Sequence, residues 1–315
     1  MQYNTRQINW KKHAHGSISL CFIMKNESKM LPRFLNCVKN NVDEIICVDT
    51  GSTDNSIKIA TDNNIKVKSM PWNDDFAEPR NETLRLATKG WILILDPDEI
   101  VDAEDWSKIK ALTNSTQFDA YRLTTRNYHN GADDTGKRPV TKLDQYSKGF
   151  KYFTPSTKTR LFRNNLNITF RGCYHELVDY SIEGLNLPIQ QTNIPIHHWN
   201  HEICQLNYDE KKALYCRLAE KKITQEPNNL HAWYEAGVTF AIAGLRKKAL
   251  FCMIKSMERG QTDHNRLLVI ARLYDFLKMP EMRRLAFSKA VCRLFPELTH
   301  IDASKRPLGM LTFKK

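Results

Sequence analysis

The sequence predicts a Rossmann-like α/β domain with a mixed sheet, followed by an all-α domain of helical repeats. Two observations predict this fold class. From residue 17 to about residue 95, short apolar runs alternate with segments of helical spacing, an order typical of parallel strands covered by helices. From residue 202 onward the spacing is helical throughout and Gly and Pro are few. We therefore expect an N-terminal extension over residues 1–16, an α/β domain over 17–201 and a helical domain over 202–315.

Composition indicates a globular protein. The chain has 315 residues, of which 41% are hydrophobic and 26% are charged, and no apolar run approaches the roughly 20 residues that a membrane-spanning helix needs. The polar, basic N-terminus has no apolar segment of the kind found in secretory signals. Eight cysteines are scattered without a C-x-x-C pair, which predicts a reducing cytoplasm and neither a disulfide framework nor a zinc ribbon.

The formal net charge of +12 favours ligands that carry phosphate. Three kinds of partner fit it: nucleic acid, an anionic membrane surface or lipid, and a small polyanionic substrate. The basic residues are spread along the chain, with modest clusters at Arg246-Lys247-Lys248 and Lys314-Lys315. No RNA-binding or helix-turn-helix signature accompanies them, so we expect no nucleic-acid partner.

The predicted elements follow in order along the first domain. We expect strands over residues 17–24, 44–48, 65–69 and 91–95, and helices over 29–40, 55–63 and 78–88. Polar residues come directly after the first, second and fourth strands: Asn26 and Glu27, Asp49 to Asp54, and Asp96 with Asp98. Because the carboxyl ends of parallel strands share one edge of a sheet, these side chains are expected to converge there.

The fourth strand ends in three carboxylates, in the sequence Asp96-Pro97-Asp98-Glu99. In an extended chain Asp96 and Asp98 would point to the same side. Two close carboxylates repel unless a cation or a proton lies between them, and Mg²⁺ or Mn²⁺ with a diphosphate would satisfy both. The alternative is a solvated turn or a helix cap.

Two loops before this point have their own alternatives. Asp49 can accept hydrogen bonds from a base or a ribose, and Gly51 permits a tight turn. Asp54 is equally compatible with a helix N-cap.

The second half of the domain is less regular. Residues 118–125 read as a strand, and Asn127 to Lys151 reads as a long loop that closes over the donor or the acceptor. Residues 159–162 and 168–170 are predicted to form a hairpin.

Four segments together resemble family 2 glycosyltransferases, over residues 17 to about 200. They are Ser-Leu-Cys-Phe-Ile-Met-Lys-Asn-Glu, Val-Asp-Thr-Gly-Ser-Thr-Asp, Trp-Asn-Asp-Asp-Phe-Ala-Glu-Pro-Arg-Asn-Glu and Leu-Asp-Pro-Asp-Glu. Members of this family are inverting enzymes of the GT-A fold that use a nucleotide-diphosphate sugar. The resemblance departs in two places: many relatives have Asp-Asp at Asp49-Thr50, and a small residue is common at Pro97.

The resemblance implies roles for individual residues. Asp98 would bind Mn²⁺ or Mg²⁺, and Asp96 would lie near the sugar or ribose or share the metal. The remaining donor-binding residues would be Asn26, Glu27, Asp49, Gly51, Asp54, Asp75 and Arg80. A UDP-sugar is the donor we expect.

Two further sites follow from the same resemblance. An inverting transfer needs a base to deprotonate the acceptor, and Glu176 is the candidate, with His175 as helper or rival. The alternative is a structural salt bridge. A histidine near residue 198 would complete the metal shell. His198 is preferred over His197, and the alternatives are a core or surface histidine and, less favoured, a zinc site.

The C-terminal part shows a 34-residue repeat that resembles the tetratricopeptide pattern. Its positions are Trp233, Ala236, Gly237, Phe240, Gly244, Ala249, Met253 and Ser256, and a shift of 34 residues places Leu267, Ile270, Ala271, Tyr274, Phe287 and Ala290 in matching roles for six of them. Such modules bind peptides or partner subunits. The alternative is a plain helical cap on the first domain, and a helical tail also offers a surface for a homodimer.

These observations predict a metal-dependent, inverting glycosyltransferase. The repeats favour a peptide or protein side chain (Cys, Ser or Thr) as acceptor, because the combination resembles peptide glycosyltransferases of bacteriocin pathways. It also resembles enzymes that build lipopolysaccharide or cell-wall glycans. The alternative from another class is a non-catalytic scaffold that binds partners through its repeats.

Overall fold

The computed structural model describes residues 16–131, 137–141, 144–164, 166–199, 208–257 and 264–294. The chain divides into two compact units, residues 1–205 and residues 206–315. All but the last residue of the predicted N-terminal extension, 1–16, lies outside the described residues. Within the described part, no helix combines the length and the apolar character needed to cross a bilayer.

The first unit is built on one mixed sheet. Its strands are β1 (Ile18–Met24), β2 (Glu44–Asp49), β3 (Lys66–Ser69), β4 (Trp91–Ile94), β5 (Glu99–Ile100), β6 (Ala120–His129), β7 (Arg138–Pro139), β8 (Tyr152–Arg163) and β9 (Ile189–Trp199). Their order across the sheet is β3-β2-β1-β4-β8-β6-β9-β5, and β7 pairs with β8. The first four strands of this order are parallel, β8 is antiparallel to β4 and β6, and β9 is parallel to β6.

Five helices belong to this unit: α1 (Leu31–Val38), α2 (Ser56–Asp62), α3 (Ala77–Leu86), α4 (Asp105–Thr113) and α5 (Asp179–Gly184). Both faces of β1 and β4 and the second half of β2 are buried, which explains their apolar runs, whereas the edge strand β3 is mostly exposed. In β4, Leu93 joins one core cluster with Phe34 of α1, while Ile92 and Ile94 join another with Ala77 of α3. The predicted α/β class with a mixed sheet is confirmed.

The predicted hairpin of residues 159–162 and 168–170 is wrong. β8 pairs with β4 and β6 instead, and residues 168–170 form no strand. The side-chain amide of Asn81 replaces a strand partner there: it accepts from the Phe170 N–H at 2.7 Å and donates to the Phe170 carbonyl at 3.0 Å. Buried backbone groups need partners, and here one side chain supplies both.

The predicted loop over residues 127–151 is also partly wrong. Its first three residues extend β6, and β7 forms a short edge strand against β8. Residues 144–149 form a turn in which the Asp144 carboxylate accepts from the N–H groups of Tyr146 and Ser147. Residues 132–136 and 142–143 lie outside the described part.

A β-bulge interrupts the pairing of β6 with β8. Tyr121 pairs with Leu161 and Arg122 pairs with Thr159, so Arg160 is an extra residue on β8. The bulge lies where β8 passes the carboxyl end of β4, because β4 pairs with residues 161–163. It therefore places Arg160 beside the carboxylates that follow β4.

The second unit is helical. Its helices are α6 (Tyr208–Gln225), α7 (Leu230–Ile242), α8 (Arg246–Lys255), α9 (His264–Phe276) and α10 (Pro280–Leu294). α7 and α9 begin 34 residues apart and so do α8 and α10, as the repeat predicts. The repeat positions Ala236, Phe240, Ala249 and Met253 are buried, as are Leu267, Ile270, Ala271 and Tyr274. A tetratricopeptide-like region is thus confirmed, while the side chains of Phe287 and Ala290 and all of residues 295–315 lie outside the described part.

Candidate functional site

The loops after β1 and β2 meet at the carboxyl edge of the sheet. Asn26, with a left-handed backbone at φ 57°, accepts from the Thr53 N–H at 2.8 Å through its side-chain oxygen. Its own N–H donates to the Ser52 hydroxyl at 2.9 Å. The next residue, Glu27, donates its N–H to Ser56 at 2.7 Å and its carbonyl accepts from Leu31 at the start of α1. The predicted convergence of these two loops is confirmed.

Asp49 and Asp54 organise the loop after β2. The buried Asp49 carboxylate accepts from the N–H groups of Gly51 and Ser52, both at 3.0 Å, and Gly51 has φ +106°, which a side chain would strain. Asp54 accepts from the Ser56 N–H at 2.9 Å and from the Ser28 N–H at 3.1 Å. Burial disfavours its charge, but the hydrogen bonds outweigh this and lower the pKa of Asp54 to about 2. Asp54 therefore binds the first N–H of α2 from the position before the N-cap, which is Asn55.

Asp75 lies at the beginning of α3. Its carboxylate accepts from the N–H groups of Ala77 at 2.8 Å and Glu78 at 3.1 Å, which otherwise have no partner in the first turn of a helix. Asp75 therefore fixes the start of the helix that carries Arg80.

Arg80 joins two of the predicted site residues. Its Nε donates to Glu176 Oε1 at 2.6 Å and its Nη2 donates to Asp96 Oδ1 at 2.9 Å. Arg80 is buried, and the two carboxylates raise the pKa of its guanidinium despite the cost of burial. The candidate base and the first carboxylate after β4 are thus held on one cation.

Asp96 lies between two arginines. Arg160 Nη1 is 3.8 Å from Asp96 Oδ2, and Arg160 Nη2 binds Glu99 Oε1 at 2.5 Å. Burial would raise the pKa of Asp96, but Arg80 and Arg160 outweigh it and hold the pKa well below its usual range. Both carboxylate oxygens of Asp96 therefore face cations of the protein.

Asp98 lies apart from Asp96 and contacts a histidine. Glu99 donates its N–H to the Asp96 carbonyl at 2.9 Å, which closes a turn over residues 97–98. The chain therefore turns at these residues, so the extended geometry on which the prediction rested is wrong. Asp98 Oδ2 is 3.0 Å from Nε2 of His198 in β9. Within the described residues, no group of three or more His, Cys, Asp and Glu could hold a metal, so Asp96 does not complete the predicted three-residue set.

The orientation of His198 suits a metal ligand. Asn127 donates its amide N–H to the Thr154 carbonyl at 2.8 Å, which turns its oxygen toward His198 Nδ1 at 2.8 Å. Nδ1 therefore carries the proton, and Nε2 faces the partly exposed Asp98 carboxylate. Although burial opposes protonation, the hydrogen bond to Asp98 and nearby carboxylates raise the pKa of His198. One imidazole nitrogen and one carboxylate fit Mn²⁺ or Mg²⁺ when a diphosphate and water supply the remaining ligands.

The two neighbouring histidines have other environments. His197 is buried between the rings of Tyr146 and Tyr128 and hydrogen bonds the Tyr128 hydroxyl at 2.8 Å. Burial lowers the pKa of His197 to about 4, so the core-histidine alternative describes it and a metal role does not. His175 is exposed, with a left-handed backbone at φ 50° and its ring against Tyr174.

Four residues of this site were not predicted from the sequence to belong to it: Lys158, Arg160, Glu99 and Asn127. Lys158 lies near the carboxylates of Glu99, Asp96 and Glu176, and burial of its ammonium together with the charge of Arg160 lowers its pKa. Arg160 had a local signal, since it is a charged residue directly before the buried pair Leu161-Phe162. Asn127 had none, because its contact with His198 spans 71 residues.

The chain matches a known family over its first unit. Residues 19–178, just over half of the 315 residues, match the family described as Glycosyl transferase family 2. A TPR repeat-containing protein of Synechococcus elongatus is 36% identical over 186 residues, 59% of this chain and 41% of that protein. The glycosyltransferase SunS of Bacillus subtilis is 27% identical over 236 residues, 73% of this chain and 50% of that protein. The chain thus spans about half the length of these relatives or less.

Two other comparisons concern a shorter relative and a solved structure. An uncharacterized glycosyltransferase of Rickettsia conorii is 37% identical over 204 residues, 61% of this chain and 70% of that protein. The crystal structure of S. aureus TarS 1-349 aligns with 87% of this chain and 90% of that chain at a TM-score of 0.49 and 14% identity. The structural similarity is too low to support an argument about function.

Proposed function

We propose that this chain, which belongs to glycosyltransferase family 2, transfers a sugar from a nucleotide-diphosphate sugar to an acceptor with inversion at the anomeric carbon. The observation that carries the proposal is the arrangement after β4. Asp96 and Asp98 follow β4: Asp98 pairs with the imidazole of His198 in β9, and Arg80 joins Asp96 to Glu176. This transfer requires side chains that bind a metal ion and a carboxylate that acts as a base.

Asp98 and His198 would hold Mn²⁺ or Mg²⁺ together with the diphosphate of the donor. The bound ion would neutralise the charge that develops on the leaving diphosphate. Lys158 belongs to the same group of charges and reaches the surface, so its ammonium is suited to bind a phosphate oxygen. Nη1 of Arg80 and Nε of Arg160 are buried and make no hydrogen bond within the described residues, which supports an anionic ligand beside them.

Glu176 would take the proton from the acceptor as the acceptor attacks the anomeric carbon. Arg80 would orient this base, since its Nε holds Glu176 Oε1 and leaves the second carboxylate oxygen for the acceptor. His175, exposed beside it, would contact the acceptor rather than the donor. The loops after β1 and β2 would shape the nucleoside pocket mainly through their backbone, including that of Gly51. The side chains of Asn26, Asp49 and Asp54 already accept hydrogen bonds from neighbouring N–H groups.

We propose a peptide or protein side chain as acceptor, supported by the tetratricopeptide-like unit, since such stacks present extended surfaces to peptides. A membrane-linked glycan is the second candidate. Exposed apolar and basic residues in the helical unit favour it.

The test is hydrolysis of UDP-, GDP- and CMP-linked sugars with Mn²⁺, Mg²⁺ or a chelator, starting with UDP-sugars. We expect slow, metal-dependent hydrolysis of one donor, which Asp98→Asn lowers by at least about a hundredfold. Asp62→Asn, an exposed carboxylate on α2, is the matched control and should retain the rate. A folded protein that binds none of these donors would instead be a scaffold.

A further inference from the structure

The net charge of the chain lies almost entirely in the helical unit. Residues 206–315 contain 21 Lys and Arg against 11 Asp and Glu, whereas residues 1–205 contain 26 against 24. About +10 of the formal +12 therefore belongs to residues outside the unit that carries the candidate site. A nucleotide-sugar site in the first unit does not use this charge, which favours a second partner that is anionic.

Exposed apolar side chains concentrate in the same unit. Of the ten large hydrophobic residues that are exposed in the described part of the chain, eight belong to α7–α10 and the turns between them. They are Ile242, Leu245, Phe251, Ile254, Phe276, Met279, Met282 and Leu285. Ile242 is 68% exposed, Phe276 59% and Phe251 56%, so these side chains project from the surface. Such concentration marks an interaction surface.

These residues recur with the period of the repeat. Ile242 and Phe276 end α7 and α9, Leu245 and Met279 follow in the turns, and Phe251 and Leu285 occupy the next helices, each pair 34 residues apart. A further repeat stacked on the last one would cover apolar side chains at one end of the array only. It would leave exposed the side chains that occupy the same position in both repeats. The apolar surface therefore runs along the array.

Basic residues lie among the apolar ones. Arg246-Lys247-Lys248 begin α8, and Arg283-Arg284 lie in α10 beside Met282 and Leu285. The Arg246 guanidinium lies 4.5 Å from the centre of the Phe276 ring, which links the two repeats. Projecting apolar side chains flanked by Lys and Arg are the features of proteins that attach to the surface of anionic membranes.

We infer that the helical unit attaches to the surface of a membrane that contains anionic lipids. The apolar side chains of the two repeats enter the interface between headgroups and acyl chains, and the basic residues pair with lipid phosphates. The inference is independent of sugar transfer, since none of these residues belongs to the candidate site. A membrane-bound chain would meet acceptors that are themselves linked to lipid.

The experiment measures sedimentation of the full chain with vesicles of phosphatidylcholine alone or with about 30% phosphatidylglycerol. We expect binding only to the anionic vesicles, weakened by high salt. The double variant Ile242→Ser/Phe276→Ser, and separately Lys247→Glu/Arg284→Glu, should each lower the partition coefficient by about tenfold or more. Leu185→Ser and Lys39→Glu/Lys110→Glu are matched controls, because these residues are exposed in the first unit, and they should bind as the unaltered chain does.

Circular dichroism checks that each variant is folded, and donor hydrolysis in the absence of vesicles should stay unchanged in all of them. The inference is overturned if anionic vesicles do not bind the chain, or if the control variants lose binding as the test variants do. Light scattering tests whether a second copy of the chain occupies the surface. If the unaltered chain is a dimer, does not bind vesicles, and becomes a monomer in the variant Ile242→Ser/Phe276→Ser, the surface belongs to a second copy. Saturable binding of an acidic peptide, again without vesicle binding, would assign it to a protein partner.

Discussion

At the scale of single residues, Arg80 is the group on which the candidate site depends. It is buried and binds both Asp96 and Glu176, so removing its charge leaves two carboxylates close together without a cation. We expect Arg80→Met to destabilise the fold by about 3–5 kcal/mol and to abolish donor hydrolysis. Arg80→Lys keeps the charge but cannot hold both carboxylates in one plane, so it should fold and lose most of the rate.

The measurement is the free energy of unfolding in urea together with the hydrolysis rate. Arg85→Met on the same helix is the control, since Arg85 is exposed and its ion pair is with Glu82 rather than with Asp96 or Glu176. If Arg80→Lys hydrolyses the donor as fast as the unaltered chain, the geometry of the bridge has no role in positioning.

The same scale shows what a sequence can and cannot predict of the site. Asp98, His198, Arg80 and Glu176 were each predicted from a motif of a few residues, and His198 was expected to share a metal with Asp98. The bridge from Arg80 to Asp96 and Glu176 was not predicted, because Arg80 and Glu176 are 96 residues apart in the chain. Asp96 shows the limit most directly: an extended strand was expected through Asp96 and Asp98, and the chain forms a turn there.

At the scale of elements, Glu44 fastens the beginning of three strands. At the first residue of β2, it accepts from Ser19 of β1 at 2.7 Å, from Lys66 of β3 at 2.7 Å and from the Thr88 N–H before β4 at 2.8 Å. Burial would raise its pKa, but the hydrogen bonds outweigh this and lower the pKa of Glu44 to about 2.

A pH dependence of stability follows from Glu44. A carboxylate whose pKa is lower in the folded state contributes stability above the unfolded value, near 4.5, and loses it as the pH falls toward 2. We expect Glu44→Gln to lower the free energy of unfolding by about 2 kcal/mol at pH 7. The difference from the unaltered chain should shrink between pH 4.5 and pH 2. Urea titrations across this range measure it, and a difference that is constant with pH would contradict the assignment.

Elements were predictable where local spacing determines them. The strands and helices up to residue 94 have short connections and periodic apolar residues, and the structure contains them with small shifts of their ends. β6 and β8 were predicted only in part, over residues 118–125 and 159–162, because the connection between them is rich in Gly, Asp and Lys and their pairing over ten residues leaves no local pattern. Residues 168–170 have the composition of a strand, yet an asparagine side chain takes the place of the neighbouring strand.

At the scale of the whole molecule, the two units divide the proposed tasks. The first has its own core and nearly balanced charge, and the second carries the excess of positive charge and the exposed apolar side chains. We expect the chain truncated after residue 205 to fold and to keep metal-dependent donor hydrolysis within about threefold, because a unit with its own core folds independently. It should lose all binding to anionic vesicles.

Sedimentation and donor hydrolysis of the truncated and full chains, side by side, measure this division. The full-length variant Asp98→Asn is the control. It should bind vesicles as the unaltered chain does and fail to hydrolyse the donor. Vesicle binding by the truncated chain would place the membrane surface in the first unit instead.

The bulge at Arg160 has a consequence for how the gene tolerates changes in length. Because Arg160 is the extra residue of β8, losing its codon would let the flanking residues pair regularly and would remove the cation between Asp96 and Glu99. Losing a codon elsewhere in β8 would turn every side chain beyond it to the opposite face of the sheet. Insertions and deletions among homologous genes should therefore accumulate between β6 and β8, and the reading frame across β8 itself should keep a fixed number of codons.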